Sequence, residues 1–341
     1  MSESTLYPKI GRYDAVIKNI LHLHGSQDGN IAPPTSVHLA GTVKLHGAHA
    51  DIVVEADNRI RLQSRNIENL DINNDNYGFG RHMLPRQDAL LKLKDRFLAR
   101  YAELHLSLRL SASKPVIIAG EWIGHGIQKE VAIAQLTPRF VIVSAWVHGT
   151  WVPDQDYADI EDPDAGIYNI SRGGVFEATL TLSDPIADIA RIQTMVDAVE
   201  RHCPFALSFG VSGTGEGIVW KVQDAPYQGN ASYWFKSKGH LHAVSNIPTM
   251  RKELVGAAGK KESAALFAAA VVTETRLMQG LDYLEEMGVE SNERGIGVFL
   301  KWMTADCLAE EKDALKEADV EVRMTKTEII RVARVWYLKR I

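Results

Sequence analysis

Short runs that alternate apolar and polar residues recur along the first 245 positions of this chain and are absent beyond about residue 253. A period of two buries one face of a pleated strand, whereas a helix needs apolar residues every three to four positions. The change of period therefore predicts two architectures in one chain. Residues 36–65 hold SVHLAGTVKLHG, ADIVVEAD, a turn at Asp57-Asn58 and RIRLQSR, which predict consecutive antiparallel strands. Further strands are predicted at 115–122, 139–147, 174–182, 216–222 and 232–238. Two helices interrupt them. One runs from about Pro85 to Leu108, where Leu90, Leu91, Leu93, Phe97, Leu98 and Tyr101 recur at helical spacing; the other spans 188–204 and stops at Pro204. Later segments at 262–286, 293–318 and 325–341 read as helices, with Thr325 and Thr327 as candidate N-caps. The expectation is an α+β protein: a mostly antiparallel domain over 1–245, then a small all-α domain over 253–341.

Charge and cysteine content narrow the function classes. The 341 residues carry 38 Lys and Arg against 43 Asp and Glu, a net charge of −5. No bulk positive field recruits nucleic acid, so any such partner must be held by a local basic surface. Cys203 and Cys307 are far apart and have no second pair, which excludes a four-cysteine zinc site and fits a reducing compartment. No apolar run approaches the roughly 18 residues of a membrane span, and the N-terminus has no apolar signal core. These features predict an intracellular, cytoplasmic monomer with no membrane partner.

Four short motifs carry the chemistry. Lys44-Leu45-His46-Gly47 closes an apolar strand, where a lysine on a rigid element next to a tight turn can serve as an amine nucleophile. Gly120-Glu121-Trp122-Ile123-Gly124 ends another strand, and a carboxylate there can accept from a ribose hydroxyl. Glu216-Gly217-Ile218-Val219-Trp220-Lys221 follows. Trp234-Phe235-Lys236-Ser237-Lys238 then puts Lys236 and Lys238 on one strand face, which is costly unless an anion or solvent lies between them. Taken singly, each is matched by a bland alternative: a surface lysine on a hairpin, an exposed glutamate, a solvated pair of cations.

Their order is more specific. A lysine strand, Ser64-Arg65 on the next hairpin, Gly-Glu-x-x-Gly, Glu-Gly-x-Val-x-Lys and Lys-x-Lys is the order of covalent nucleotidyltransferase motifs. The chain resembles the ATP-dependent RNA ligase 2-like family, most closely in Gly120 to Lys129 (GEWIGHGIQK) and in Lys-x-His-Gly. The likeness extends over nearly the whole chain, including the helical C-terminal part; DNA ligases and capping enzymes usually carry Asp in place of His46 and continue into an OB-fold. The resemblance implies an ATP-grasp-like, antiparallel-sheet nucleotidyltransferase domain. It implies that Lys44 attacks ATP and carries AMP, that His46 assists near the phosphates, and that Arg65 contacts sugar or phosphate. It further implies that Glu121 holds the ribose, that Glu216 positions a divalent metal (Mg²⁺ or Mn²⁺), and that Lys221, Lys236 and Lys238 bind the nucleotide. The implied substrate is RNA with 3′-OH and 5′-phosphate ends, in a nicked or bridged duplex, and the implied process is sealing of the kind used in RNA repair.

Departures from the family are equally visible. Ala48-His49-Ala50 stands where the family has Thr-Asn-Phe, Val143-Ser144 where it has a Phe-Asp pair whose ring stacks on adenine, and Val43 where a phage member has Glu. Three alternatives stay open at this level: a DNA ligase, a capping-type guanylyltransferase, and a non-catalytic RNA-end-binding relative, the last favoured by the acidic charge and the missing Phe-Asp pair. Other features are discounted. His22 and His24 suggest two metal ligands on one strand face but lack a third, GVSGTGEG (210–217) lacks the ending of a phosphate loop, and His125 reads as a loop histidine. The run Asp154–Asp164 reads as a solvated loop, and Trp302, Trp336 and Tyr337 as helical core. Arg331, Arg334, Lys339 and Arg340 read as either a phosphate-contacting or a solvated face.

Overall fold

The computed structural model describes residues 7–26, 32–75, 77–106, 114–242, 245, 259–317 and 319–341. The predicted helix end at Leu108, the helix position Ala318 and the start of the helical domain at Glu253 lie outside these residues. The chain divides into two compact units, Met1–Gly239 and His240–Ile341.

The first unit is built on two sheets. One has the order β10-β9-β1-β8, formed by β1 (Ser36–Lys44), β8 (Phe176–Thr181), β9 (Gly217–Val222) and β10 (Trp234–Lys238), all antiparallel. The other runs β3-β2-β4-β5-β6, from β2 (Ala48–Val54), β3 (Ile60–Ser64), β4 (Val116–Ile123), β5 (Arg139–Val147) and β6 (Thr150–Trp151). Strand β7 (Ile167–Asn169) joins β5 in parallel, and every other pairing is antiparallel, as the alternation predicted. One expectation changes. Strands β1 and β2 are consecutive in sequence yet belong to different sheets, so Leu45-His46-Gly47 carries the chain from one sheet to the other.

Helices cover the apolar face of each sheet. Leu90, Leu93, Phe97 and Tyr101, on one stripe of the helix Gln87–Leu104, bury with Ala50, Ile52, Ile118 and Ile142. Ile192, Val196 and Val199 of the helix Ile186–Arg201 pack with Leu39, Val43, Ile218 and Trp220, as do Val16 and Ile20 of the helix Tyr13–Ser26. His22 and His24 lie on this last helix, where positions two apart point to different sides. His24 Nε2 instead meets the Tyr227 hydroxyl at 2.7 Å, so the paired-ligand geometry is absent. The Asp154–Asp164 segment is not simply solvated either: Tyr157 and Ile160 are buried, and Glu161 pairs with Arg172.

The second unit is helical, as expected. Val272 and Thr273 split the predicted 262–286 segment into Lys260–Val271 and Glu274–Glu286, with Thr273 capping the latter. The 293–318 segment likewise becomes Ile296–Glu310 and Lys312–Glu317. The last helix spans Val322–Leu338, so Thr325 and Thr327 sit inside it; their hydroxyls donate back to Glu321 and Arg323 carbonyls, and neither is an N-cap. Tyr337 is fully buried, while Trp302 and Trp336 pack partly buried against the same core. No described helix is long and apolar enough to cross a membrane.

Gly217 is the tightest point of the first sheet. Its φ of +155° disfavours a side chain, and a Cβ would run into the Ser237 carbonyl and lie 2.9 Å from Lys238 Cα. Gly217→Ala is expected to cost about 2 kcal/mol or more, read as a lowered midpoint in thermal or urea unfolding. A midpoint equal to wild type would show that β9 and β10 can part without penalty.

Candidate active site

Alternation on three paired strands sets one face of the first sheet. The register aligns Lys44, Gly217 and Lys238 in one row, Thr42, Val219 and Lys236 in the next, and Ala40, Lys221 and Trp234 in a third. Residues between them, among them Leu39, Val43, Ile218, Trp220 and Phe235, point to the opposite face and are buried in its core. All four predicted lysines, Lys44, Lys221, Lys236 and Lys238, thus share one surface because the strands place them there at intervals of two. Val43 does not join them. Its side chain is 2% exposed and packs in the core, so only its backbone faces the cleft.

At the head of this face one carboxylate gathers the cations. Lys44 Nζ donates to Glu216 Oε2 at 2.7 Å, Lys238 Nζ lies 2.9 Å from Oε1, and His46 Nδ1 is 3.6 Å from Oε2. The Glu216 side chain is 1% exposed. Burial pushes its pKa up, but Lys238 and Lys44, helped by His46, outweigh burial and hold it well below the usual carboxylate range. Burial lowers Lys238, and the nearby Lys44 and Lys236 ammonium groups lower it further against the pull of Glu216. The cluster holds more positive than negative charge, an arrangement that an anion with several oxygens completes.

The second sheet supplies the other wall. Glu121 stands opposite His49 in the β2–β4 register, and its Oε2 is buried without a hydrogen-bond partner among the described residues. A Cβ on Gly47 would lie 3.2 Å from that oxygen, so Glu121 sits against the turn that follows Lys44. Burial raises its pKa, with Lys44, His49 and His46 opposing and Glu216 adding to the rise. A buried acceptor with no donor is expensive and suits a ligand hydroxyl. His49 Nε2 lies 3.0 Å from Asp51 Oδ2, which also accepts from Gln63 Nε2 at 3.1 Å. Val143 is the extra residue where the β4–β5 register slips between Ala119 and Gly120, and it packs on both the first-sheet core and the Tyr7–Trp234 cluster.

Two predicted residues lie apart from the Glu216 cluster. Lys221 is buried at the third row, 2.6 Å from Asp154 Oδ2, 3.1 Å from Ser144 Oγ and 4.3 Å over the Trp234 ring. Burial lowers its pKa against the pull of Asp154. Arg65 is at the rim, where its Nη1 donates to the Tyr7 carbonyl at 2.7 Å. The sequence reading missed Tyr7, His49 with Asp51, and Asp154. For His49 and Asp51 a signal existed, since they are two apart on one strand and so share a face; Tyr7 and Asp154 carry no local signal, because their partners come from distant segments.

Among the described residues no group of three or more His, Cys, Asp or Glu is placed to hold a metal ion. With carboxylates this few at the head of the cleft, a divalent cation fits here only if phosphate oxygens supply most of its ligands.

A search of curated proteins returned no match. Among solved structures the chain is similar to RNA ligases of Naegleria gruberi. A variant with AMP and Mn is 16% identical, with a TM-score of 0.42, covering 70% of this chain and 57% of that one. The enzyme with PPi is 16% identical, with a TM-score of 0.43, covering 73% and 59%. This chain therefore spans less than two thirds of the length of those proteins. The RNA ligase family profile matches residues 37–238, from the first residues of β1 to Lys238. That stretch is more than half of the chain, and the protein belongs to the RNA ligase family.

Proposed function

We propose that the protein is an ATP-dependent RNA ligase that works through an AMP carried on Lys44. The observation that carries this reading is the buried Glu216 carboxylate ringed by Lys44, Lys238 and His46, a pocket with surplus positive charge beside a strand-end lysine. Membership of the RNA ligase family supports RNA as the polymer.

In the first step Lys44 Nζ bonds to the α-phosphorus of ATP as the α–β anhydride breaks and pyrophosphate leaves. To do so Lys44 must break its ion pair with Glu216 and lose a proton to solvent so that the neutral amine attacks, its second N–H proton leaving as the N–P bond forms. Lys238 remains beside that carboxylate to meet the phosphates. Lys236 lies one row behind on the same face. His46, next to the nucleophile, donates toward phosphate oxygens. The orphaned Glu121 Oε2 accepts from the ribose, and Val143 with Val219 offers apolar walls to the base in place of the family's aromatic ring. Lys221, pinned by Asp154, sets the separation of the two walls at the far end. Arg65 at the rim meets sugar or phosphate. A divalent cation, Mg²⁺ or Mn²⁺, held by Glu216 and the phosphates, would supply charge neutralisation. AMP then passes from Lys44 to an RNA 5′-phosphate, and a 3′-hydroxyl attacks that phosphate with release of AMP. Two RNA ends held on a nicked or bridged duplex are the substrate of this reading.

Incubation with α-labelled ATP and a divalent cation is expected to label the wild-type protein on a denaturing gel. Lys44→Ala should abolish the label, and labelled GTP should give none. Absence of any adduct, with the protein free of pre-bound AMP, would move the assignment to a non-catalytic RNA-end binder.

Glu121→Gln should separate stability from binding. It removes a buried charge, so the nucleotide-free protein is expected to melt higher at neutral pH while the KM for ATP rises at least ten-fold. A lower melting point would mean that Glu121 is paired for structural reasons.

The folded pKa of Glu216 is depressed, so its contribution to stability is complete above the ordinary glutamate value of about 4.3 and fades as the pH falls toward the folded value. Glu216→Gln should therefore flatten the acid limb of melting temperature against pH; an unchanged acid limb would place the acid sensitivity elsewhere.

A further inference from the structure

A protein with a net charge of −5 needs a local basic surface to hold RNA, and one lies beside the cleft. A groove of about 690 Å³ is lined by Tyr7, Lys9, Arg65, Trp146, Trp151 and Asn230 among others, and none of its lining residues is acidic. The β5–β6 hairpin forms its floor. Trp146 and Trp151 are directly paired across that hairpin, so both indoles stand on the same face. Lys114 Nζ lies 5.5 Å over the Trp146 ring. Trp151 is anchored from behind by edge-on contact with Tyr7, at 5.2 Å, and with Trp234, at 5.8 Å. Trp146 belongs to none of the buried clusters, although it is a large apolar ring. Arg65 and Tyr7 are joined by a hydrogen bond, and the Tyr7 ring stacks on His49, so the groove adjoins the wall that carries Glu121.

Cations flanking paired, half-buried tryptophans form a surface for unpaired nucleotides. Phosphates meet the cations and exposed base faces stack on the indoles, whereas a fully paired duplex offers no base face. We infer that this groove takes an unpaired stretch of the RNA substrate adjoining the junction, with bases against Trp146 and Trp151 and phosphates on Lys9, Arg65 and Lys114. The inference rests on the ligase reading of the cleft and adds to it the form of the RNA.

The test compares binding of two fluorescent 5′-phosphorylated RNAs by anisotropy: a fully paired nick, and the same nick with a short unpaired extension at the junction. Adduct formation from α-labelled ATP is measured in parallel. Wild type should bind the extended RNA more tightly. Trp146→Ala should weaken that RNA about ten-fold or more, leave the paired nick and the Lys44 adduct unchanged, and be rescued by Trp146→Tyr. A Lys9→Gln, Lys114→Gln double variant should reduce the slope of log affinity against log salt by about 1.4 on the extended RNA, roughly 0.7 for each phosphate contact on single strands. Equal wild-type affinity for both RNAs, or an equal effect of Trp146→Ala on both, would overturn the inference; so would an unchanged salt slope. Failure of wild type to form an adduct would instead overturn the reading of the cleft.

Discussion

The Glu216 carboxylate organises the first unit. It is buried, it is held ionised, and it binds two lysines that reach it from different strands. Removing a carboxylate from water is costly, and only the converging cations offset that cost. Lys44 and Lys238 flank Gly217 in register, so the carboxylate just ahead of the glycine finds an ammonium on either side. The side-chain-free Gly217 keeps the three strands close enough for this. Sheet geometry, the glycine and the ion cluster are thus one constraint seen at three scales.

Much of this was legible in the sequence, for a physical reason. A strand writes its face into every second residue, so the sequence puts Lys236 and Lys238 on one face and Lys44 at a strand end. The order of the motifs then carries the resemblance to the family. What local pattern does not encode is pairing between distant segments. The alternation over 36–65 gave no sign that β1 and β2 enter different sheets, because both read as strands wherever they pair. Asp154 sits in an acidic run that looks solvated, and only the fold brings it to Lys221. Thr325 looked like a cap because threonine favours that role, but the helix had begun three residues earlier under the pull of its buried face.

The two walls of the cleft carry opposite kinds of tension. On the first sheet, cations crowd one carboxylate and await more negative charge. On the second, Glu121 keeps a buried oxygen that lacks a donor among the described residues. Both are costs within the fold, and the proposed nucleotide, which brings phosphates and hydroxyls in that order along its length, would relieve both. On the proposed reading, free phosphate would answer one wall only and a nucleoside only the other.

Strand β1 carries a further consequence. Val43 faces the core and Lys44 faces the cleft, one peptide apart. An inserted or deleted residue within β1 would exchange the two faces, driving an ammonium into packed hydrocarbon and an isopropyl group into the cleft. Substitutions that keep each side chain on its face can be absorbed along this strand, but a change of length cannot. Lineages descending from this protein should therefore drift in β1 by replacement alone, with indels confined to the loops that join the strands.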